Sequence, residues 1–288
     1  MSKTFNLPSR IEPLDYISDC DLWIKRDDLI HPIINGNKWR KLKGFFAELT
    51  DHSAVLTFGG AYSNHLTAAA KACAIFGIRV IGVVRGQELD ETSNAHLRYC
   101  VSEGMELQFV SRTEYKSLRN SGWKPSRTQE LLWKVENAEL LPEGGAGKHA
   151  EVGCGEIWTE ITAEKIPQHL VLAAGTGATV WGIISAMPVG CRTKIHVVSA
   201  VKGTHREALA IMNLAKSKEI QLHWEDEVHF GGFGKITDTL LTEKVEFEMK
   251  TGIPLDRNYN SKVLAYLNRN SWSGTVLWLH TGGTTEYE

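Results

Sequence analysis

Apolar residues fall along this chain in two styles: short continuous runs, and longer stretches in which they return every three or four positions. The runs at 54–58, 80–84, 107–110, 170–173, 195–199 and 275–280 predict strands buried on both faces. Helical spacing predicts helices over 38–49, 63–76, 92–103, 155–163, 178–187, 205–217, 236–251 and 261–269. Strand followed by helix, repeated, predicts an α/β fold of parallel sheets flanked by helices. The polar, turn-rich segment 112–127 reads as a variable connection, and Leu141-Pro142-Glu143-Gly144-Gly145 marks a second change of organisation. Residues 170–191 carry no charge and have the length of a membrane span. Gly175, Thr176, Gly177 and Thr179 interrupt them, so the stretch divides into a buried strand, a loop and a helix.

Composition narrows the partners more than the fold. A chain of 288 residues, 42% hydrophobic, can bury one large core or two modest ones. A net charge of −2 gives no electrostatic footprint for nucleic acid or a membrane surface. Cys20, Cys73, Cys100, Cys154 and Cys191 are an odd set without a CxxC pair, so neither a disulfide framework nor a zinc ribbon is indicated, and a reduced cytoplasm is the expected location. The polar start, Met1 to Arg10, lacks the apolar core of a signal peptide. His65, Cys73 and the other histidines lack metal-ligand spacing and read as structural or surface groups.

Three segments carry candidate chemistry. In Asn35-Gly36-Asn37-Lys38-Trp39-Arg40-Lys41-Leu42 a glycine turn enters an amphipathic helix whose Trp39, Leu42, Phe45, Phe46 and Leu49 face inward. Lys38 then sits in the first helical turn, where the positive dipole end disfavours an ammonium and biases the amine towards a neutral nucleophile. Taken alone, Lys38, Arg40, Lys41 and Lys43 read as a solvated basic face. In the second segment, 54–65, a short strand and a glycine turn lead to Ser63, Asn64 and His65 at a helix start. In the third, Gly175-Thr176-Gly177-Ala178-Thr179 joins a strand to an apolar helix, so backbone N–H groups and two hydroxyls can surround a phosphate.

Together these segments resemble the aminocyclopropanecarboxylate deaminase and D-cysteine desulfhydrase family of pyridoxal-phosphate (PLP) enzymes, within the tryptophan-synthase-β-like fold type. Members carry GGNK-x-RKL, SN-H after a strand, a Gly/Thr phosphate loop, a late tyrosine segment and a C-terminal HTGG. This chain has NGNKWRKL, GGAYSNH, AGTGAT, LDRNYNSKV around Tyr259, and His280-Thr281-Gly282-Gly283, in the same order. The resemblance implies a large PLP-binding domain from 1–50 and 141–288, a small inserted domain from 51–140, a cofactor in the cleft between them, and a homodimer. It implies Lys38 as the cofactor lysine and later the base at Cα, and Ser63 beside the substrate carboxylate. Asn64 would meet the ring hydroxyl, Gly175 to Thr179 the phosphate, and Tyr259 would be the active-site tyrosine. From local sequence alone Ser63 is equally a helix cap, Asn64 a helix-start residue and Tyr259 a half-buried packing residue.

Three positions depart from the family pattern. Asn35-Gly36 stands where two glycines are usual, a change the turn can absorb if Asn35 takes left-handed geometry. Phe233 replaces the tyrosine of a Gly-Tyr-Gly segment, which removes a hydroxyl and weakens the case for cyclopropane ring opening. Asn260 follows Tyr259 where deaminases have Glu and desulfhydrases Thr, and its amide is the expected neighbour of the cofactor's pyridine nitrogen. The expected activity is therefore β-elimination on a small amino acid such as D-cysteine, with aminocyclopropanecarboxylate deamination or a serine dehydratase or racemase reaction as alternatives. A binding protein that keeps the fold without turnover is the alternative from another class.

Overall fold

Strands form where the apolar runs stand, and several more form where charge hides them. The structure is a computed structural model that describes residues 5–49, 54–201, 203, 205–227, 230–232 and 234–285; Phe233 lies outside the described residues. The strands are β1 (Ile11–Pro13), β2 (Asp21–Arg26), β3 (Ala54–Gly60), β4 (Val80–Arg85), β5 (Glu106–Val110), β6 (Ala138–Leu141), β7 (His169–Ala174), β8 (Lys194–Ser199), β9 (Leu222–Glu225) and β10 (Thr275–His280). The helices are α1 (Asn37–Glu48), α2 (Asn64–Phe76), α3 (Ala95–Ser102), α4 (Arg112–Asn120), α5 (Arg127–Trp133), α6 (Lys148–Thr159), α7 (Ala178–Ala186), α8 (His205–Ser217), α9 (Asp238–Thr251) and α10 (Asn260–Arg269). Two compact units result, one from Met1–Arg40 with Glu151–Thr284 and the other from Lys41–Ala150. Each edge of the second unit lies ten residues outside the 51–140 read from the sequence.

The first unit holds a six-stranded sheet in the order β1-β2-β10-β7-β8-β9, parallel except for the antiparallel edge pair β1–β2. Side chains alternate along β7: Leu170, Leu172 and Ala174 join a core with Ile157 and Ile183, while Val171 and Ala173 join another with Phe247 and Leu264. Trp278 of β10 is fully buried in the second core. Helices cover both faces, which is why these strands read as continuous apolar runs rather than alternating ones. The second unit holds a parallel four-stranded sheet in the order β5-β4-β3-β6. Leu56, Phe58, Ile81 and Val83 pack there against Tyr115 and Leu118 of α4 and Trp133 of α5.

The structure corrects several sequence expectations. Strand β2, central enough to join β1 to β10, has the sequence DLWIKR, and its Lys25 and Arg26 are buried in ion pairs. Those charges broke the apolar pattern that would have marked the strand. The supposed connection 112–127 is largely helical: Ser111 caps α4, and Ser126 with Gln129 forms a capping box on α5. Each of these helices buries only one or two side chains, too few for a visible period. Helix α6 starts at Lys148, seven positions before the expected 155. The uncharged 170–191 stretch is strand β7, loop and helix α7, and no helix of the described residues is long and apolar enough to cross a membrane.

Candidate active site

Lys38 is the second residue of α1, and the helix that carries it is anchored by charge. Two residues on, the Arg40 guanidinium is completely buried. It binds Asp27 through Nε and Nη2 (2.7 and 2.9 Å) and Glu160 through Nη1 and Nη2 (both 2.8 Å). Lys25 adds a 2.6 Å bond to Glu160, and the Ser9 hydroxyl donates to Asp27. Burial opposes each of these charges, yet Asp27 and Glu160 hold the Arg40 pKa above its ordinary value, and Arg40 and Lys25 hold the Glu160 carboxyl below its own. A solvated basic face is therefore wrong for this segment: Arg40 is an interior clamp, and Lys41 is buried as well.

The turn before α1 is fitted to the C-terminal loop. Gly36 has φ +60°, and a Cβ there would lie 1.8 Å from the carbonyl oxygen of Thr281, so only glycine fits. Asn35 is not among the residues with positive φ, so its tolerance of left-handed geometry is not what the chain uses. Its side chain does the work instead, accepting a 2.9 Å hydrogen bond from Gly283 N–H. Asn37 N–H donates to Thr281 O (3.3 Å) from the same turn.

From here a short chain of hydrogen bonds reaches the glycine loop. Lys38 Nζ donates to Asn37 Oδ1 (3.1 Å), and Asn37 Nδ2 donates to Thr179 Oγ1 (3.1 Å). Thr179 is in the first turn of α7, whose N-cap is Gly177 in the left-handed region with no side chain capping the turn. The first N–H groups of α7 thus lack helical partners, and a phosphate suits them. A Cβ on Gly175 would lie 3.2 Å from the Tyr259 hydroxyl, so that ring borders the loop. Burial, and then Asp256, push the Tyr259 phenol up to about 12, so it keeps its proton at neutral pH.

Tyr259 is held by an acid that sequence reasoning missed. Asp256 Oδ2 accepts from Asn258 N–H (2.8 Å) and Tyr259 N–H (2.7 Å), while its Oδ1 accepts from Asn260 N–H (2.9 Å) and Nδ2 (2.7 Å). An Asp just before a helix start, in Asp256-Arg257-Asn258, was the available signal. Asn260 is fully buried, its second amide hydrogen goes to Gly282 O (3.0 Å), and its Oδ1 accepts from Thr281 N–H (3.3 Å). Nδ2 also lies 3.4 Å from Thr281 Oγ1, so Asn260, the residue expected beside the cofactor's ring nitrogen, fastens the 280–283 loop to α10. Asn37, the bridge between Lys38 and Thr179, has no sequence signal either, since its partner Thr179 lies 142 positions away.

Lys38, Gly175 to Thr179, Tyr259 and Asn260 all belong to the first unit; Ser63 and Asn64 belong to the second. Ser63 Oγ accepts from Leu66 N–H (3.3 Å), so it does cap α2. Asn64 Oδ1 lies 3.3 Å from His96 Nε2, and burial pushes the His96 pKa down. His65 is buried against the Thr57 hydroxyl (2.8 Å), a structural role.

A lysine amine joined by one asparagine to a threonine of an uncapped glycine loop is the donor set that PLP needs, an aldehyde partner plus a phosphate cradle. Gly177 is the sharpest test of the cradle, since at φ +79° any side chain is strained and a Cβ would meet Ile211 at 2.5 Å. Gly177→Val should weaken PLP binding about tenfold or more without unfolding the chain, read by PLP titration alongside a thermal melt. Unchanged affinity would return the loop to a plain strand-to-helix turn.

The comparisons with known proteins bear on the family and the fold. A D-cysteine desulfhydrase/1-aminocyclopropane-1-carboxylate deaminase of Arabidopsis thaliana, described as bifunctional and mitochondrial, is 28% identical over 91% of this chain and 72% of its own length. A protein of Pyrococcus horikoshii described as a 1-aminocyclopropane-1-carboxylate deaminase by inference is 29% identical over 94% of this chain and 89% of its own. A D-cysteine desulfhydrase of Salmonella schwarzengrund is 24% identical over 96% and 92%. Among solved structures, one described as an ACC deaminase homologue superposes with a TM-score of 0.79 at 23% identity, covering 99% of this chain and 92% of that one, which shows the shared fold. The family model of pyridoxal-phosphate dependent enzymes matches residues 5–225, and this chain belongs to that family: it is a PLP-dependent enzyme.

Proposed function

We propose that the enzyme catalyses β-elimination on a small amino acid, D-cysteine being the preferred example, taking up one water and releasing pyruvate, ammonia and sulfide. The observation that carries this reading is the setting of Lys38, an amine at a clamped helix start tied through Asn37 to Thr179. PLP, when bound, supplies an aldehyde for the amino group and an electron sink for Cα. Lys38 is the residue that would hold it, and the same amine, once released, takes the proton from Cα. Gly175 to Thr179 bind the phosphate. Tyr259, neutral because burial holds its proton, can donate a hydrogen bond or a proton near the departing group. The family resemblance assigns Ser63 to the substrate carboxylate and Asn64 to the ring hydroxyl. The first unit is the PLP-binding domain in this reading and the second the small domain.

The relatives' names point to two substrates, and the sequence favours one. Phe233 cannot assist ring opening as a tyrosine hydroxyl could, whereas a thiol leaves without such help. We expect kcat/KM for D-cysteine to exceed that for aminocyclopropanecarboxylate by about 10²-fold or more, read from steady-state pyruvate, with sulfide assayed for the thiol substrate. Comparable values on the two substrates would contradict the preference. A homodimer belongs to the same proposal on the resemblance alone. A reducing cytoplasm belongs to it too, supported by five free cysteines of which three are buried.

A further inference from the structure

The second unit holds a cavity of about 780 Å³ at the carboxyl ends of its strands, a size that admits a small metabolite. Its place follows from topology. Helices α2 and α3 step from β3 to β4 to β5 in one direction and touch each other, whereas α4 and α5 lead from β5 back past β4 and β3 to β6. Right-handed crossovers then put α2 and α3 on one face and α4 and α5 on the other, so the connections after β4 and β5 part company. Such a divergence opens a crevice at the strand ends, where ligands bind in open α/β sheets.

The lining is strongly cationic. Arg85, Arg112, Lys116 and Arg119 surround the cavity against one carboxylate, Glu88. Arg112 donates to Glu88 (2.8 Å) and Arg119 pairs with Glu143, which leaves Arg85 and Lys116 without an ion-pair partner among the described residues. The guanidinium carbons of Arg85 and Arg119 each lie 5.7 Å from the ring centre of Tyr115, which is 1% exposed. A guanidinium resting on a fixed ring keeps its N–H edge available for a planar oxyanion. Tyr62, 69% exposed in the same wall, offers an apolar ring to the rest of an organic ligand. Cations gathered so closely repel one another, and a bound dianion would relieve that repulsion.

We infer that this cavity is a binding site for a small organic oxyanion, a phosphate ester or a polycarboxylate, with Arg85 and Lys116 as its principal cationic contacts. The inference rests on the cavity's own residues and not on the amino-acid reaction proposed above. Calorimetric titration of the PLP-loaded enzyme with citrate, glycerol phosphate and inorganic phosphate tests it. Saturable binding of citrate or of glycerol phosphate, tighter than that of inorganic phosphate, is expected, and the stronger of the two organic ligands identifies the source. The exposed double variant Arg85→Gln/Lys116→Gln should bind about tenfold or more weakly at an unchanged melting temperature, and Glu88→Gln should bind more tightly. No saturable binding of any of the three up to about 10 mM would overturn the inference. Equal affinity in the double variant, or displacement by saturating D-cysteine, would overturn it as well.

Discussion

Lys38→Ala is expected to lower the turnover of D-cysteine by about 10³-fold or more while the chain remains folded. The amine is the group of α1's first turn that can both carry the cofactor and receive a proton from Cα, and it donates a hydrogen bond to the neighbouring Asn37. Removing it takes nothing from the clamp two residues on, since Arg40 is held by Asp27 and Glu160. Lys43→Ala, further along the same helix, should leave turnover near the parent value. Steady-state pyruvate release checks both variants, and substantial activity in Lys38→Ala would remove this lysine from the reaction.

Arg40→Leu should cost about 3–5 kcal/mol of stability at neutral pH, because it strands two buried carboxylates that the guanidinium now satisfies. The cost should depend on pH in a definite sense. Burial alone would raise the Glu160 carboxyl, but Arg40 and Lys25 hold it below its ordinary range. In the parent, the stability Glu160 contributes is therefore present above the unfolded carboxylate pKa, about 4.3, and lost as pH falls through its lower folded value. In Arg40→Leu, burial is left opposed chiefly by Lys25, the Glu160 carboxyl moves up, and protonation at low pH relieves its cost. The gap between parent and variant, read from denaturant unfolding, should shrink between about pH 7 and pH 4. A gap that stays constant over that range would mean Glu160 is not the group left stranded.

What was legible in the sequence was whatever repeats or stands together. The six apolar runs and the segments NGNKWRKL, AGTGAT and HTGG mark strands β3, β4, β5, β7, β8 and β10 and the turns at their ends. Strand β2 was hidden because Lys25 and Arg26 are paired from outside the strand, by Glu160 and by Glu12 with Asp28. A pairing 135 residues away leaves no local trace. The same cause hid Arg40, which looked like one more exposed cation in a basic run. Asn260 shows a different limit: its position beside Tyr259 was plain, but which acceptors its amide meets depends on Asp256 and on Gly282, brought together only by folding. Asn35 likewise reaches Gly283 across 248 positions. Local chemistry names a candidate residue, and long-range partners decide whether its polar atoms are free to act.

Covalent mapping of the cofactor tests the central claim most directly. The PLP-loaded enzyme is reduced with borohydride, digested, and the modified peptide sequenced by mass spectrometry. The account predicts a single modified residue, Lys38, in the peptide that begins the α1 helix, with labelling lost in Lys38→Ala. A label on Lys41 or Lys43, or none at all, would contradict the placement of the reactive amine and with it the assignment of the surrounding site.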